Sequence, residues 1–587
     1  MIKIMSMRTH NCGELRAEDA GKTVKLCGWL HSVRDLGAVA FFVIRDFYGV
    51  TQAVASTEEM LELVRAIPRE STVCVTGKVV LRSAPNEQLP TGLIEIEPES
   101  IEVLGKCYEQ LPFEISSSTQ SREDTRLKYR YLDLRNPSVK DRIVLRSQIV
   151  ADLRRRMTEQ GFLEITTPIL TCSSPEGARD YIVPSRNYPG KFYALPQAPQ
   201  QFKQLLMVGG IDRYFQIAPC FRDEDARADR SPGEFYQLDM EMAFATQDDV
   251  FEVLESVLPP VFEKFSDKVV EKPPFARIPY LTALEKYGSD KPDLRNPLII
   301  ENVTDIASKT EFEDFKSPAV KAIVVKGFNQ TRKYIDALTE YAKENGAKSL
   351  YWFKVGAEGA VSGGISKFLA DVKDELIARL SLADGDLVVL GAGENRPLSK
   401  IMGLVRTRLG NDLGLIDKNI FRFCWIVDFP MYEIGEESGE LEFCHNPFSM
   451  PQGGMKALEE MDPLDILAYQ YDIVCNGVEL SSGAVRNHNP EIMVKAFNIV
   501  GLGQAEVEAK FPAMYNAFKY GAPPHAGVAP GVDRMVMLIA DEPSIREIIA
   551  FPMNKNAQDI MMGAPSEVEQ KQLDDVHIMI KPQPKKD

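Results

Sequence analysis

The sequence has 587 residues, of which 44% are hydrophobic and 26% charged, and its formal net charge is −17 at neutral pH. This length exceeds what one hydrophobic core supports, so several domains are expected. The acidic balance excludes a protein coated with basic surface but permits a local basic face. The stretch 122–156 is a candidate, because its eleven lysines and arginines outnumber five acidic residues and could meet a phosphate backbone.

The cysteines and the N-terminal residues bear on the compartment. Nine cysteines are scattered without a C-x-x-C pair, which indicates free thiols in a reducing compartment and does not favour zinc. Residues 1–11 lack the apolar core of a signal peptide, and no apolar run reaches ~18 residues. We therefore expect a cytoplasmic protein without a membrane span.

The first 100 residues predict a small β-barrel of the OB type. Strands are predicted within 22–54, at 72–80 and at 93–97, with a helix at 58–66. The candidate open face carries Arg34, Phe41, Gln52, Arg82 and Glu95. An aromatic ring and polar tips suit the reading of single-stranded bases. The alternative, equally compatible with the pattern, is that Phe41 belongs to the core and the others are solvated.

The next segments alternate between helices and strands. A hinge with a short helix is predicted at 110–140, a long amphipathic helix at 138–160 and a strand at 162–165. Residues 290–420 change character and predict a self-contained α/β unit, with strands at 321–326 and 349–354 and a helix at 331–345. Because this unit carries few clustered polar residues, it is interpreted as an insertion.

A charged stretch after Phe221 is the strongest local signal. Arg222, Asp223 and Glu224 open a charged run that ends at a Ser-Pro-Gly turn, and an alternating strand follows at 234–242. Two strands joined by such a loop suit a polyanion held over a sheet. The alternative is a solvated hairpin with surface ion pairs, which is the commoner meaning of a charge run.

Three further segments cluster polar residues, at 174–203, at 445–486 and at 520–534. In the last, Gly531 to Arg534 precede an apolar helix, and a helix start offers backbone N–H groups to an anion. The sequence contains neither a P-loop nor a G-x-G-x-x-G after a strand, so both common nucleotide fingerprints are absent.

Together these segments resemble bacterial-type aspartyl-tRNA synthetases, which are class II enzymes, over essentially the whole chain. Residues 162–168 resemble class II motif 1, residues 221–224 with Phe235 resemble motif 2, and residues 531–534 resemble motif 3. Subgroup motifs are Cys27-Gly28-Trp29, residues 129–135, residues 175–181 and residues 287–293. The insertion near 290–420 is typical of the bacterial form.

The resemblance implies an α+β multidomain fold and an activity. The implied domains are an OB-fold anticodon-binding domain (1–109), a hinge (110–140), two parts of a catalytic domain built on an antiparallel sheet flanked by helices (141–289 and 421–557), the inserted α/β domain (290–420) and a C-terminal extension (558–587). The implied reaction is ATP-dependent ligation of L-aspartate to the 3′ end of tRNA(Asp) through an aspartyl-adenylate. A homodimer is also implied.

The resemblance further assigns site residues. Arg222, Glu224 and Arg534 would be catalytic, and the ATP-binding residues would be Arg222, Asp223, Glu224, Phe235, Glu479, Gly531, Val532, Asp533 and Arg534. Aspartate would contact Glu176, Gln200, Lys203, Arg222, Asp239, His445 and Arg486. Glu224 would contact adenine-side groups or fix Arg222. Asp472 and Glu479 would hold Mg²⁺, and Arg34, Phe41, Gln52, Arg82 and Glu95 would meet the anticodon.

The chain departs from its relatives at Ser231 to Gly233, Ala198, Asn446 and the residues 31–33 before Arg34. The last difference bears on anticodon discrimination, so charging of tRNA(Asn) stays open. The alternatives are an asparaginyl or lysyl relative and a paralogue that keeps the fold without catalysis. Lys203 with Arg486 argues against the first, and the intact phosphate-site residues argue against the second.

Overall fold

The computed structural model of the protein describes residues 7–173, 178–435 and 438–581. It divides into two compact units, Met1–Glu114 and Ile115–Asp587. Within the described ranges, no helix is long and apolar enough to cross a membrane. All nine cysteines fall in these ranges and are free thiols.

The first unit is a ring of five strands with one helix. Its elements are β1 (Thr23–Asp35), β2 (Ala40–Arg45), β3 (Val50–Ala55), α1 (Glu58–Ala66), β4 (Thr72–Leu81) and β5 (Ile94–Gly105), preceded by a 3₁₀ turn at Ala17–Asp19. The ring closes in the order β1-β2-β3-β5-β4. Alternate side chains of the strands, such as Leu26, Phe42 and Ile96, fill its interior. The OB-type architecture is confirmed, and the last strand is longer than predicted.

The second unit contains the remaining elements. Its helices are α2 (Glu123–Lys128), α3 (Arg130–Asp133), α4 (Pro137–Glu159), α5 (Gln200–Val208), α6 (Gln247–Phe265), α7 (Tyr280–Tyr287), α8 (Thr304–Ala307), α9 (Arg332–Glu344), α10 (Lys373–Arg379), α11 (Asn395–Asp412), α12 (Gly454–Glu460), α13 (Pro490–Ile499), α14 (Gln504–Lys510), α15 (Pro512–Phe518), α16 (Val532–Ile539) and α17 (Gln570–Asp575). Its strands are β6 (Leu163–Glu164), β7 (Ile182–Pro184), β8 (Phe192–Ala194), β9 (Arg213–Arg222), β10 (Gly233–Ala243), β11 (Val269–Val270), β12 (Ala276–Pro279), β13 (Ile300–Asn302), β14 (Ala319–Val325), β15 (Tyr351–Val355), β16 (Val361–Ser362), β17 (Leu387–Gly393), β18 (Ile420–Phe421), β19 (Phe423–Pro430), β20 (Tyr432–Ile434), β21 (Leu441–Phe443), β22 (Leu467–Cys475), β23 (Val478–Val485) and β24 (His525–Val528).

An eight-stranded sheet organises this unit, in the order β12-β19-β22-β23-β24-β10-β9-β6. Its strands pair antiparallel except at the two edges, where β12 joins β19 and β6 joins β9 in parallel. Apolar residues of α4, α6 and α16 cover one face and bury Trp425 completely. The predicted antiparallel sheet flanked by helices is confirmed, and its other face is left to build a site.

The chain leaves this sheet between β12 and β19 and forms a second one. Five strands lie in the order β13-β14-β17-β15-β16. Helices α9 and α11 pack on one face, while α8 and α10 pack on the other. This is the inserted α/β unit that the change of pattern predicts.

Many cations of the basic stretch 122–156 have carboxylate partners in the structure. Seven of its arginines pair with carboxylates, and several of these partners come from distant parts of the chain: Arg126, Arg130, Arg142, Arg146, Arg154, Arg155 and Arg156. Arg126, for example, contacts Glu547 at 2.9 Å. The sequence shows the cations together, and the fold brings acids to seven of them and offsets part of their charge.

Candidate active site

A cavity of about 960 Å³ opens on the uncovered face of the eight-stranded sheet. Twelve of the predicted residues line it: Gln200, Lys203, Arg222, Glu224, Phe235, Asp239, His445, Glu479, Arg486, Gly531, Asp533 and Arg534. Glu176 lies outside the described residues. The cavity therefore gathers segments that are more than 300 positions apart in the sequence.

The β9–β10 hairpin explains why one face of the sheet is polar. Gly233 pairs with Arg222 and Asp239 pairs with Gln216. Because side chains alternate along a strand, Phe235, Asp239 and Glu241 share a face. The intervening Leu238 and Met240 are fully buried on the helix side. The alternation predicted for this strand thus places acids and an aromatic ring in the cavity.

At one end of the cavity, two cations and two carboxylates form a buried network. Lys203 Nζ lies 2.6 Å from Asp239 Oδ1 and 3.4 Å from Glu241 Oε2. Arg486 donates from Nε to Glu241 Oε1 at 2.9 Å and from Nη2 to Glu241 Oε2 at 3.2 Å. All four side chains are at most 2% exposed. Glu241 is missing from the predicted site, although its i+2 spacing from Asp239 could have revealed it.

The pKa values of the two carboxylates in this network are shifted in opposite directions. Burial opposes ionisation of Glu241, but Arg486 and Lys203 outweigh it and lower its pKa. Burial raises the pKa of Asp239 in spite of Lys203. Asp239 Oδ2 and Gln200 Nε2 are buried without a hydrogen-bond partner. Buried polar atoms are normally paired, so this end of the cavity is suited to a ligand whose ammonium group donates a hydrogen bond to Asp239.

Arg222 marks the middle of the cavity. Its guanidinium lies 5.0 Å from the centroid of the Phe235 ring, and its Nε donates to Gln197 O at 3.3 Å. Glu224 contacts Arg230 at 2.8 Å. Within the described residues, this ion pair is with Arg230 and not with Arg222. Arg222 lines the cavity, where its planar guanidinium suits bidentate binding of a phosphate or carboxylate.

Arg534 connects two walls of the cavity. Its Nη1 donates to Glu479 O at 2.7 Å, and its Nη2 lies 3.4 Å from Asp229 Oδ2. Asp229, in the loop between β9 and β10, is therefore part of the cavity wall. The arginine holds the charged loop between β9 and β10 against the start of β23.

The start of α16 is fixed from both sides. Gly531 N donates to Leu480 O at 2.8 Å. The carboxylate of Asp533 accepts from Arg146 at 2.7 Å and from Tyr236 N at 2.9 Å. The Val532 side chain is fully buried in the core, so only its backbone could face a ligand. These contacts give Asp533 and Val532 a positioning role in the structure.

Lys291 and Glu479 line the other end of the cavity, and the buried Asp472 interacts with Glu479 from outside the lining. Lys291 Nζ contacts Glu479 Oε2 at 2.9 Å and lines the cavity. Burial and the neighbouring Glu479 raise the pKa of Asp472 well above its usual value. Burial opposes the charge of Glu479, but Lys291 and Arg534 outweigh it and lower its pKa. Lys291 is absent from the predicted residues, although the motif at 287–293 contains it.

These carboxylates suit a hard divalent cation. Mg²⁺ is commonly held by one or two carboxylates, with substrate phosphates and water completing six oxygen ligands. Among the described residues, no cluster of three or more His, Cys, Asp or Glu side chains could hold a metal alone. The donor set of Asp472 and Glu479 therefore fits a cation that arrives with a phosphate ligand.

Of two further predicted residues, His445 lines the cavity at its margin and Asp223 does not line it. His445 lies with its ring 5.0 Å from that of Phe429, and burial lowers its pKa. Asp223 lies outside the lining and pairs with the exposed Arg179 at 3.4 Å. Of the departures from relatives, Ala198, Ser231 and Asn446 all line the cavity. Asn446 Oδ1 accepts from Phe448 N at 2.8 Å, which shapes the turn after His445.

The first unit carries a second polar surface. Arg34 pairs with Phe41 across β1 and β2, and Phe41 pairs with Val54 across β2 and β3. Phe41 is only half-buried, whereas its neighbour Phe42 is 1% exposed. The alternative that Phe41 belongs to the core is therefore wrong. Its ring lies on the outer face of the strands.

Three further residues of that surface contact one another. Gln52 Nε2 donates to Glu95 Oε2 at 2.7 Å, and Arg82 donates to Gln52 Oε1. Arg82 Nε also lies 3.8 Å from Glu95 Oε2. The network holds a carboxylate, an amide and a guanidinium beside the half-buried ring, and these groups suit base edges and a base face.

Comparisons with known proteins find relatives for both units. Residues 122–555 match the profile of tRNA synthetases class II (D, K and N), and residues 24–104 match that of OB-fold nucleic acid binding domains. An aspartate–tRNA ligase of Streptomyces avermitilis is 56% identical, over 98% of this chain and 99% of the relative. An aspartate–tRNA(Asp/Asn) ligase of Gluconobacter oxydans is 54% identical, over 98% of each chain. The structure of a putative aspartyl-tRNA synthetase from Leishmania major aligns over 94% of both chains with a TM-score of 0.59 and 21% identity, which shows the fold.

Proposed function

Because the chain belongs to the class II tRNA synthetases of the aspartate, lysine and asparagine group, we propose that it activates L-aspartate with ATP and transfers it to tRNA(Asp). Full-length relatives named aspartate–tRNA ligases, at 54–56% identity, support this activity over a paralogue without catalysis. ATP is the nucleotide substrate that the family implies.

The buried network at Arg486 carries the choice of amino acid. Arg486 uses Nε and Nη2 for Glu241, and its Nη1 donates no hydrogen bond within the described part of the chain. A carboxylate side chain can accept from this fixed fork, whereas the amide of asparagine would set its own N–H donors against it. A lysine side chain would bring a third cation. The unpaired oxygen of Asp239 suits the α-ammonium.

Activation joins two anions, so it requires charge neutralisation and alignment rather than removal of a proton. The α-carboxylate attacks the α-phosphorus of ATP, the bond to the bridging oxygen breaks, and pyrophosphate leaves. Arg222 would hold the attacking carboxylate and the α-phosphate together with its planar fork. Phe235 would support the adenine, and Arg534 would bind the outer phosphates.

Divalent cation binding is a proposal for Asp472 and Glu479. When bound there, Mg²⁺ would neutralise the phosphates during their departure. In the second step, the terminal ribose 3′-hydroxyl attacks the aspartyl carbonyl and AMP leaves. His445, at the margin of the cavity, would help to close it around the amino acid.

The outer face of the first unit would receive the anticodon. Phe41 offers a ring for base stacking, and the Gln52–Glu95–Arg82 network offers a donor and acceptor pattern for base edges. The OB-fold match over residues 24–104 supports nucleic-acid binding. Because relatives named for tRNA(Asp) and for tRNA(Asp/Asn) match at similar identity, tRNA(Asn) has to be tested directly.

We also propose a homodimer. Near the motif 1 segment, Leu163, Ile169 and Leu170 are 57%, 46% and 54% exposed. Apolar side chains gathered at one place on a surface favour association. Light scattering of the purified chain should give about twice its monomer mass.

Amino-acid-dependent ATP–pyrophosphate exchange tests the proposed function. Exchange should require L-aspartate among the common amino acids, and exchange with none, or preferentially with asparagine, would refute the proposal. Charging of transcripts of tRNA(Asp) and tRNA(Asn) then measures the tRNA range. Transfer to tRNA(Asp) alone identifies a discriminating enzyme, and transfer to both identifies a non-discriminating one.

A further inference from the structure

Lys291 occupies the acidic end of the cavity. Its Nζ lies 2.9 Å from Glu479 Oε2 and 3.7 Å from Asp290 Oδ2. Its side chain is 41% exposed, so the ammonium sits at the boundary between the buried acids and the open cavity. It is the cation in closest contact with the Glu479 carboxylate among the described residues, since Arg534 Nη1 lies 3.6 Å from Oε1.

The acidic pair needs positive charge in the nucleotide-free protein. Asp472 is 5% exposed, and its neighbour Glu479 raises its pKa through like-charge repulsion added to burial. Two buried carboxylates without a counter-ion are costly, because their charges repel in a medium that screens weakly. Lys291 supplies that charge in direct contact with Glu479 Oε2.

The loop that carries Lys291 is anchored to the inserted unit. Gly288 ends α7 in the left-handed region (φ +69), with its Cα so close to α11 that an added Cβ would lie 2.4 Å from Gly403 Cα. Arg406 of α11 donates to the carbonyls of Leu298, Asn296 and Asp293 at 2.6, 2.8 and 3.0 Å. The backbone around Lys291 is therefore held in place, while the side chain remains free to change rotamer.

We propose that Lys291 is the resident counter-ion of the Asp472–Glu479 pair and competes with a divalent cation for Glu479. This proposal rests on the proposed ATP-dependent activation. In the nucleotide-free protein the ammonium occupies Glu479, so a free divalent cation binds weakly. The negative phosphates of the nucleotide attract both cations, and Lys291 can leave Glu479 for the cavity when the metal arrives with its phosphate ligands.

Mn²⁺ binding to the nucleotide-free, full-length protein tests this directly. Free Mn²⁺ is counted by electron paramagnetic resonance during titration. Lys291→Met, which keeps the length of the side chain and removes its charge, should lower the Mn²⁺ dissociation constant by about tenfold or more. Lys291→Arg should keep the weak binding, and Lys291→Gln should repeat the gain with a polar side chain.

Two controls identify the cause of a gain in Mn²⁺ affinity. Lys286→Met changes the net charge equally at an exposed position one turn earlier, at the end of α7, and should leave Mn²⁺ binding unchanged. The double variant Lys291→Met with Glu479→Gln should lose the gain. Equal Mn²⁺ affinity for Lys291→Met, Lys291→Gln and the native chain would overturn the proposal, and so would a gain that survives in the double variant.

The failure of this proposal and of the proposed function can be told apart. If the native chain exchanges pyrophosphate with aspartate and Lys291→Met leaves the Mn²⁺ affinity unchanged, only the role of Lys291 is refuted. If the native chain shows no aspartate-dependent exchange, the proposed activation is refuted, and with it the reason for competition at Glu479.

Discussion

Glu241 and Arg486 form a two-bond ion pair, with Nε to Oε1 at 2.9 Å and Nη2 to Oε2 at 3.2 Å, although both side chains are at most 2% exposed. A buried pair is weak evidence for stability, because desolvation offsets most of the attraction. Its value here is orientation, since the fork fixes which edge of the guanidinium remains for a ligand. Glu241 is thus a positioning residue of the proposed aspartate site.

Glu241→Gln should raise the KM for aspartate in pyrophosphate exchange by about tenfold or more, because an amide can accept from only one side of the Arg486 fork. The KM for ATP should change little. Glu234→Gln, an exposed position on the same strand, is the matched control. An unchanged KM for aspartate in Glu241→Gln would remove it from the site.

Arg222→Ala should lower the exchange rate by about 10²–10³-fold, the usual effect of deleting one group that stabilises developing charge. Arg213→Ala lies at the opposite end of β9, where the arginine donates to Gln160 O, and should leave exchange within about twofold. Near-native exchange by Arg222→Ala would exclude it from the phosphate site.

Gln52→Ala and Glu95→Ala should lower kcat/KM for tRNA(Asp) by about 10–100-fold, as for the loss of a base contact. Exchange without tRNA should stay native, because the substitutions leave the cavity untouched. Glu102→Ala, exposed on the same strand, controls for removal of a surface charge. Loss of exchange in Gln52→Ala would indicate misfolding instead.

The lowered pKa of Asp152 predicts that the stability of the protein depends on pH. Burial opposes its ionisation, but hydrogen bonds from Lys264, Arg156 and Arg155 at 2.6, 2.7 and 2.9 Å outweigh it and hold its pKa well below the usual value. A lowered folded-state pKa contributes stability above the unfolded-state value of about 3.9 that disappears as pH falls further.

Asp152→Asn should therefore lower the apparent free energy of unfolding at pH 7 by about 1–3 kcal/mol, since its partners are partly exposed. The difference from the native chain should shrink below about pH 4. Urea titrations at several pH values measure it, with Asp141→Asn as the exposed control on α4. A difference that is constant with pH would contradict the assignment.

Substitutions at Gly288 and Gly190 distinguish the cost of backbone strain from the cost of a packing clash. Both have positive φ, +69 and +75, but an added Cβ at Gly288 would lie 2.3 Å from Ser399 O, whereas nothing lies within 4 Å at Gly190. Gly190→Ala should cost about 1–2 kcal/mol for the left-handed conformation alone. Gly288→Ala should cost at least ~3 kcal/mol, because α7 and α11 must also separate. Equal losses in urea unfolding would contradict the close approach of these helices.

Local sequence patterns predicted several helices and strands, and the family resemblance identified twelve of the residues that line the cavity. The alternation at 234–242 predicted the strand that the structure contains as β10, and the predicted bounds of α1 agree with the structure. Such patterns are local, because each residue's face follows from the geometry of its own strand or helix. The resemblance to class II synthetases added the grouping of distant motifs.

Which charged side chains contact each other follows from the tertiary structure and not from local sequence. Arg126 and Glu547 are 421 positions apart, and Arg486 and Glu241 are 245 apart. A sequence shows that a cation is present, but the partner that neutralises it depends on which strand or helix lies opposite after folding. For this reason the sequence did not show which acids pair with the basic stretch, and Glu241 and Lys291 were missed, although each contacts a residue that the sequence had already identified.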